Sequence, residues 1–279
     1  MSKTKSAGVG LRYGAIYPLY DGLPTPNDSQ ATPVNGTLVE GIKTVTVTDP
    51  QPRNITHFGD DRAYMQDQLP STESGSFTFT ASKTNMDLDA MIEGGKIRTI
   101  NSNKFRAGNT DNKGDEPQVL IVEYRQALDA DLNSATFGKL RQWEGRVYPS
   151  VRISKQTPSH EAENTDITYN ATPTQVKFTA WNEQFTEANW GNTEAEYIEF
   201  VTDYQPRFNF WRGDGTITAF QTSHPPQSST NLTVWVDGTQ TTPSAVNVSS
   251  TNPAFTLGSA AGLDVLVAAL IETDEPGDS

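Results

Sequence analysis

From residue 37 onward, apolar and polar positions alternate with a period close to two. Ile42-Lys-Thr-Val-Thr-Val is β-branched and stops at Asp49-Pro50, which predicts a strand. Ser76-Phe-Thr-Phe-Thr places Phe77 and Phe79 on one face and Ser76, Thr78 and Thr80 on the other. Val119-Leu-Ile-Val-Glu-Tyr lacks alternation and predicts a strand buried on both faces. Further strands are predicted over 142–154, 175–181 and 195–201.

One segment breaks the pattern. In Asn85-Met-Asp-Leu-Asp-Ala-Met-Ile-Glu, the residues Leu88, Met91 and Ile92 fall at i, i+3 and i+4, the spacing of a helical stripe. Thr84 or Asn85 can cap its start, Asp87 and Asp89 suit the positive end of its dipole, and Gly94-Gly95 ends it. Asn101 to Pro117 is polar and glycine-rich and predicts a long loop.

Residues 1–36 read as an N-terminal arm, because Pro24, Pro26 and Pro33 interrupt a stretch rich in turn formers. The arm still carries Leu11, Tyr13, Ile16, Tyr17, Leu19 and Tyr20. Such a cluster needs a surface to cover, either its own domain or a neighbouring subunit. Residues 37–205 form the main β domain. Beyond Pro206 the runs shorten, with turn signals at Pro225-Pro226, Asp237-Gly238, Asn252-Pro253 and Ala261-Gly262. Residues 206–275 therefore read as a separate small β-sandwich with Ig-like proportions, and 276–279 as an acidic tail. The predicted fold is mainly β, with one short flanking helix.

Composition narrows the chemistry. The 279 residues include no cysteine, which excludes disulfides, thiol nucleophiles and cysteine-ligated metals. Net charge is −13, with 21 Lys and Arg against 34 Asp and Glu, so a conventional nucleic-acid binder is not expected. The start has no apolar h-region, and Val265 to Ile271 is too short to cross a bilayer; neither export by a standard signal nor a membrane span is expected. His57, His160 and His224 lie in unrelated segments without a local catalytic motif. Asp129-Ala-Asp131-Leu-Asn133 opens like a calcium loop, but Ser134 and Leu140 stand where glycine and glutamate are required. Gly8-Val-Gly10 lacks the rest of a phosphate-binding motif. Of five tryptophans, Trp143, Trp181 and Trp235 lie in predicted strands, where core packing accounts for them better than sugar stacking. No catalytic, cofactor or metal residue is assigned, and no enzyme is expected.

The segment Thr46-Val-Thr-Asp-Pro-Gln-Pro-Arg-Asn-Ile-Thr-His-Phe-Gly-Asp-Asp-Arg-Ala-Tyr-Met-Gln-Asp-Gln-Leu-Pro-Ser-Thr-Glu-Ser-Gly-Ser-Phe-Thr-Phe-Thr resembles the major tail proteins of siphophages. The shared order is a Gly-Asp-Asp-like turn, a strand ending in Leu-Pro, a second strand and a short helix, over about residues 37–100. Arg212-Gly-Asp-Gly-Thr and Leu232-Thr-Val-Trp-Val-Asp-Gly resemble accessory β-domains of phage structural proteins. The resemblance implies a tail-tube β-barrel or sandwich and a virion tail built from hexameric rings. These rings stack into the conduit for DNA ejection, made in the host cytoplasm. It implies contacts with tape-measure, terminator and distal tail proteins, passage of genomic DNA without specific binding, and no membrane partner.

On that reading Glu40, Asp60, Asp61, Asp67 and Glu73 are expected to face the bore, repelling DNA phosphates. Leu11, Tyr13, Ile16, Tyr17 and Tyr20 are expected to make inter-ring contacts. Truncation after Tyr204 is expected to leave thinner tubes, and loss of residues 1–30 to weaken stacking. The competing expectations are a carbohydrate-binding module, with exposed tryptophans, a phage fibre, decoration or baseplate module, and a hydrolase with a site assembled by the fold.

Overall fold

The computed structural model describes residues 6–26, 29–40, 42–48, 53–59, 62–69, 76–81, 85–107, 117–129, 132–133, 140–156, 167–173 and 197–273. The first half contains β1 (Ser6–Tyr20), β2 (Leu23–Pro24), β3 (Thr37–Glu40), β4 (Ile42–Thr48), β5 (Arg53–Gly59), β6 (Arg62–Leu69), β7 (Ser76–Ala81), α1 (Met86–Glu93), β8 (Lys96–Ile100) and β9 (Asn103–Ala107). Then come β10 (Gln118–Asp129), β11 (Leu140–Lys155), β12 (Ile167–Pro173) and β13 (Ile198–Thr202). The last part contains β14 (Gln205–Asp214), β15 (Ala219–Gln221), β16 (Leu232–Val236), β17 (Thr239–Thr241), β18 (Ala245–Asn247), β19 (Ala254–Thr256) and β20 (Leu263–Thr273). The fold is mainly β, with one α-helix among the described residues.

The largest sheet follows the antiparallel path β2-β1-β10-β11-β12-β7-β4, with β3 added on β1 and β13 on β11. Only residue 41 separates β3 from β4, yet β3 pairs with β1 and β4 with β7. One length of chain thus passes from one margin of the sheet to the other. No ladder among the described residues joins those margins, so the barrel is not closed.

Burial explains why these strands sit where they do. Val119, Leu120, Ile121 and Val122 of β10 are all buried, alternate residues entering two different cores. Each such side chain stabilises by about 1.5–3 kcal/mol relative to exposure, which holds β10 at the centre and sets its register. One core lies against α1 and joins Ile16, Val39, Phe79, Leu88, Ile92, Ile121, Val151 and Tyr169. Phe79 stacks on Tyr169 with ring centroids 4.8 Å apart, while Ser76 on the opposite face is exposed.

The other face of the sheet packs against a four-stranded sheet, β14-β20-β16-β17. Tyr17, Val34, Leu120, Val122, Tyr124, Trp143 and Val147 meet Phe208, Phe210, Leu266 and Ala268 there. A third core, built on Trp211, Phe220, Phe255, Val267 and Ile271, closes a sandwich with the β15-β19-β18 sheet. Strands β14 and β20 are therefore buried on both faces. The sandwich has its own core and also shares one with the main sheet. Tyr17 Oη donates to the Phe208 carbonyl at 3.0 Å, and the Phe208 N–H donates to Tyr124 Oη at 3.0 Å. The Val34 N–H donates to the Phe210 carbonyl at 2.8 Å. β14 lies at the edge of its sheet, and these bonds satisfy backbone groups an edge strand would leave open.

The described part of residues 1–36 does not form an arm. β1 is an inner strand, pairing with β10 on one side and with β2 and β3 on the other. Ala15 and Tyr17 enter one of the two cores beside it and Ile16 the other. Part of the expected long loop is also strand: β8 and β9 form a hairpin, and 108–116 lie outside the described residues. Asn101 and Ser102 turn that hairpin with φ of 49° and 65°. Asp237 and Gly238, predicted as a hairpin turn, do the same at 50° and 77°. The strand predicted over 175–181 lies outside the described residues. β12 was not predicted.

Candidate self-association surface

Strands β4 and β7 pair along their length, ending at Thr48 opposite Ser76. Between them the chain forms a second ribbon, β5 paired with β6, from Arg53 opposite Leu69 to Gly59 opposite Arg62. Among the described residues, these two strands make a sheet of their own. The ribbon occupies the middle of the segment from Thr46 to Thr80.

Another ribbon, β8–β9, follows the helix. Asn85 caps α1, its Oδ1 accepting from the Asp87 and Leu88 N–H groups at 3.0 and 3.2 Å. The same side chain donates to the Leu38 carbonyl at 2.9 Å, tying the helix start to β3. The β8–β9 hairpin then folds back on the helix. On its inner face Lys104 Nζ lies 3.1 Å from Asp87, and Arg106 pairs with Glu93 and, at 3.7 Å, with Asp89. Antiparallel pairing sets Lys96 opposite Ala107, Arg98 opposite Phe105 and Ile100 opposite Asn103, all on the outer face. Every one of these six residues is exposed, Ile100 at 54% and Phe105 at 52%. Lys96, Arg98, Ile100, Phe105 and Ala107 line a groove of about 550 Å³. Lys96 and Arg98 have no ion pair among the described residues.

Two charged clusters lock this half of the molecule. Asp89 is buried and takes Lys155 Nζ at 2.8 Å together with the Tyr169 hydroxyl at 3.2 Å. Burial, reinforced by Asp89, pushes the Tyr169 phenol well above its usual range. Beyond that core, Glu123, Arg146 and Glu199 stand opposite one another on β10, β11 and β13. Arg146 binds Glu199 at 2.8 Å and lies 4.6 Å over the Tyr197 ring. Burial raises the Glu123 carboxyl, with Arg125 and Arg146 opposing. Burial and then Glu123 push the Tyr148 phenol up to about 12. Gly145 serves this packing, since a Cβ there would overlap the Glu123 carbonyl oxygen and the Phe200 ring.

The structure separates the residues expected to contact neighbouring rings. Ile16 and Tyr17 are buried in the chain's own cores, so they are not surface contacts; pairing of β1 inside the sheet is the reason. Tyr20, at the end of β1, is 70% exposed. Leu11 and Tyr13 belong to β1, opposite Arg125 and Tyr124, with side chains outside those described. Of the acids expected in the bore, Asp60, Asp61 and Glu73 lie outside the described residues. Asp67 stands opposite Ile55 on the β5–β6 ribbon and Glu40 opposite Tyr13, again without described side chains. The β8–β9 surface was missed by sequence reasoning. Its signal was four cations and no acid over residues 96–107 of an acidic chain.

Other chemistry is sparse. No cluster of metal-ligating residues occurs among the described residues. His224 Nδ1 lies 3.0 Å from Ser223 Oγ, beside a cavity of about 220 Å³ where the main sheet meets the sandwich. Burial and then Arg207 lower the His224 pKa. Asn209 binds the Ser223 side chain at 2.9 Å and its N–H at 2.7 Å, holding the turn against β14 rather than orienting the imidazole. Trp143 and Trp211 are buried, Trp235 is half-buried, and Trp181 and Trp190 lie outside the described residues. No protein-family model matches the chain, and no curated protein matches it in sequence.

Proposed function

We propose that this chain is a self-assembling structural subunit, the tube-forming protein of a long-tailed phage. The observation that carries the reading is the β5–β6 ribbon within the resembling segment. A two-stranded ribbon is marginal in water by itself, and its backbone edges favour a partner. In the proposed tube a neighbouring copy supplies that partner. Stacked hexameric rings supply such neighbours and close the edges without open-ended aggregation. In sequence Asp60, Asp61 and Asp67 lie within 53–69, with Glu40 before that stretch and Glu73 after it; in the proposed tube these acids face the bore and let DNA slide. The proposed setting is a virion tail, with the tape-measure, terminator and distal tail proteins as further partners and no catalytic role.

Negative-stain microscopy of concentrated full-length protein tests the reading, with rings or uniform tubes as the expected result. Monodisperse monomers at every concentration would overturn it. A reconstruction placing those acids on the tube's exterior would remove the bore assignment alone. The carbohydrate-binding reading gains no support from Trp143 or Trp211, which offer no exposed stacking face.

A further inference from the structure

The geometry points to the outer face of the β8–β9 hairpin as a heterologous docking surface for the acidic surface of a second copy of this chain. The inference rests on the reading of the chain as a self-assembling subunit and names one of its contacts.

The two faces of the hairpin differ in what satisfies them. The inner cations, Lys104 and Arg106, are neutralised by Asp87, Asp89 and Glu93 of the chain's own helix. The outer cations, Lys96 and Arg98, have no such partner among the described residues and flank exposed Ile100 and Phe105 in the groove. Apolar side chains bracketed by cations match an occupant that is partly apolar and negatively charged.

Charge identifies that occupant. Residues 96–107 carry four cations and no acid, while the whole chain stands at −13, so the remainder carries −17. Another copy is thus the complementary surface, present at the same concentration in every assembly. Two copies of the hairpin face would set Lys96 and Arg98 against the same cations, so the contact is not self-complementary. A basic patch on one subunit must meet a different, acidic patch on the next. Heterologous contacts of this kind generate rings when the rotation closes and filaments when it does not. The ion pairs to α1 hold the hairpin in place beforehand, which lowers the ordering cost of docking.

The test uses the full chain and a Lys96→Glu/Arg98→Glu variant, both followed by sedimentation and negative-stain microscopy over a range of salt. Both residues are exposed, and unchanged circular dichroism and melting confirm that the variant folds. Wild-type assembly should weaken with salt, and the variant should need about tenfold more protein, or more, to assemble. Because the chain has no cysteine, Asn103→Cys offers a single attachment point for a photo-crosslinker at the hairpin. Crosslinks should join two chains through acid-containing peptides. A variant that assembles like wild type, or crosslinks confined to one chain, overturns the inference and leaves the tube reading standing. Wild type that never assembles overturns both. Loss of duplex DNA retention in the variant, with assembly unchanged, also overturns it and assigns the cations to nucleic acid.

Discussion

Asp89 shows how much one residue can hold. It is buried in the first turns of α1 and compensates Lys155, itself almost fully buried, while accepting from Tyr169. Asp89→Asn leaves that ammonium uncompensated, and we expect a loss of about 3–5 kcal/mol in denaturant unfolding. Replacing both partners by apolar residues, Asp89→Leu with Lys155→Met, should recover part of the loss; no recovery would mean the pair is not the cause. Glu123 works in the opposite sense. Burial raises its carboxyl above the ordinary value of 4.5 despite Arg125 and Arg146, so the folded chain binds this proton more tightly than the unfolded chain. Its contribution to stability is therefore full below that ordinary value and declines as pH rises through the raised folded value. Glu123→Gln removes the dependence, and the variant should gain on wild type as pH rises from 4.5 toward neutrality. A difference that stays flat with pH would show that Glu123 does not titrate in this window.

At the scale of elements, β1 is the instructive case. Its apolar cluster was legible, but Gly and Pro around it read as an arm. Periodicity cannot say that β10, more than a hundred residues away, lies beside it. Deleting residues 1–30 removes an inner strand along with Ile16 and Tyr17 of two cores. We expect insoluble or unfolded protein rather than weaker stacking, and a soluble product with a wild-type far-ultraviolet spectrum would contradict this. The hairpin at 96–107 was hidden differently. Its alternation is weak and Asn101-Ser102 is an unusual turn pair, so it merged with the polar stretch after it. The helix was legible to its cap, because Asn85, the i, i+3, i+4 stripe and Gly94 are all local signals.

For the whole molecule, the shared core between the main sheet and the sandwich decides how the parts behave. Truncation after Tyr204 would bare Tyr17, Leu120, Val122, Tyr124, Trp143 and Val147 to water. Four or more such side chains forfeit upwards of about 6 kcal/mol, comparable to the net stability of a whole domain. The expectation of a thinner but intact tube therefore gives way to one of aggregation. Calorimetry of the full chain should show one cooperative transition instead of two. A separate sandwich transition, with 1–204 still folded, would mean the two units are independent after all.

By itself the sequence determined the mainly β character, the helix and its ends, the Asp237-Gly238 turn and the double-sided burial of β10. Each depends on neighbours a few residues away, through side-chain period and backbone preference. Only the tertiary structure decided that β1 is an inner strand, that β3 and β4 part company at residue 41, and that β14 and β20 carry a core on each face. It also showed which cations of the β8–β9 hairpin are spent on the helix and which are left facing outward. Strand pairing and charge neutralisation are contacts between distant parts of the chain, and their energies exist only once the chain has collapsed.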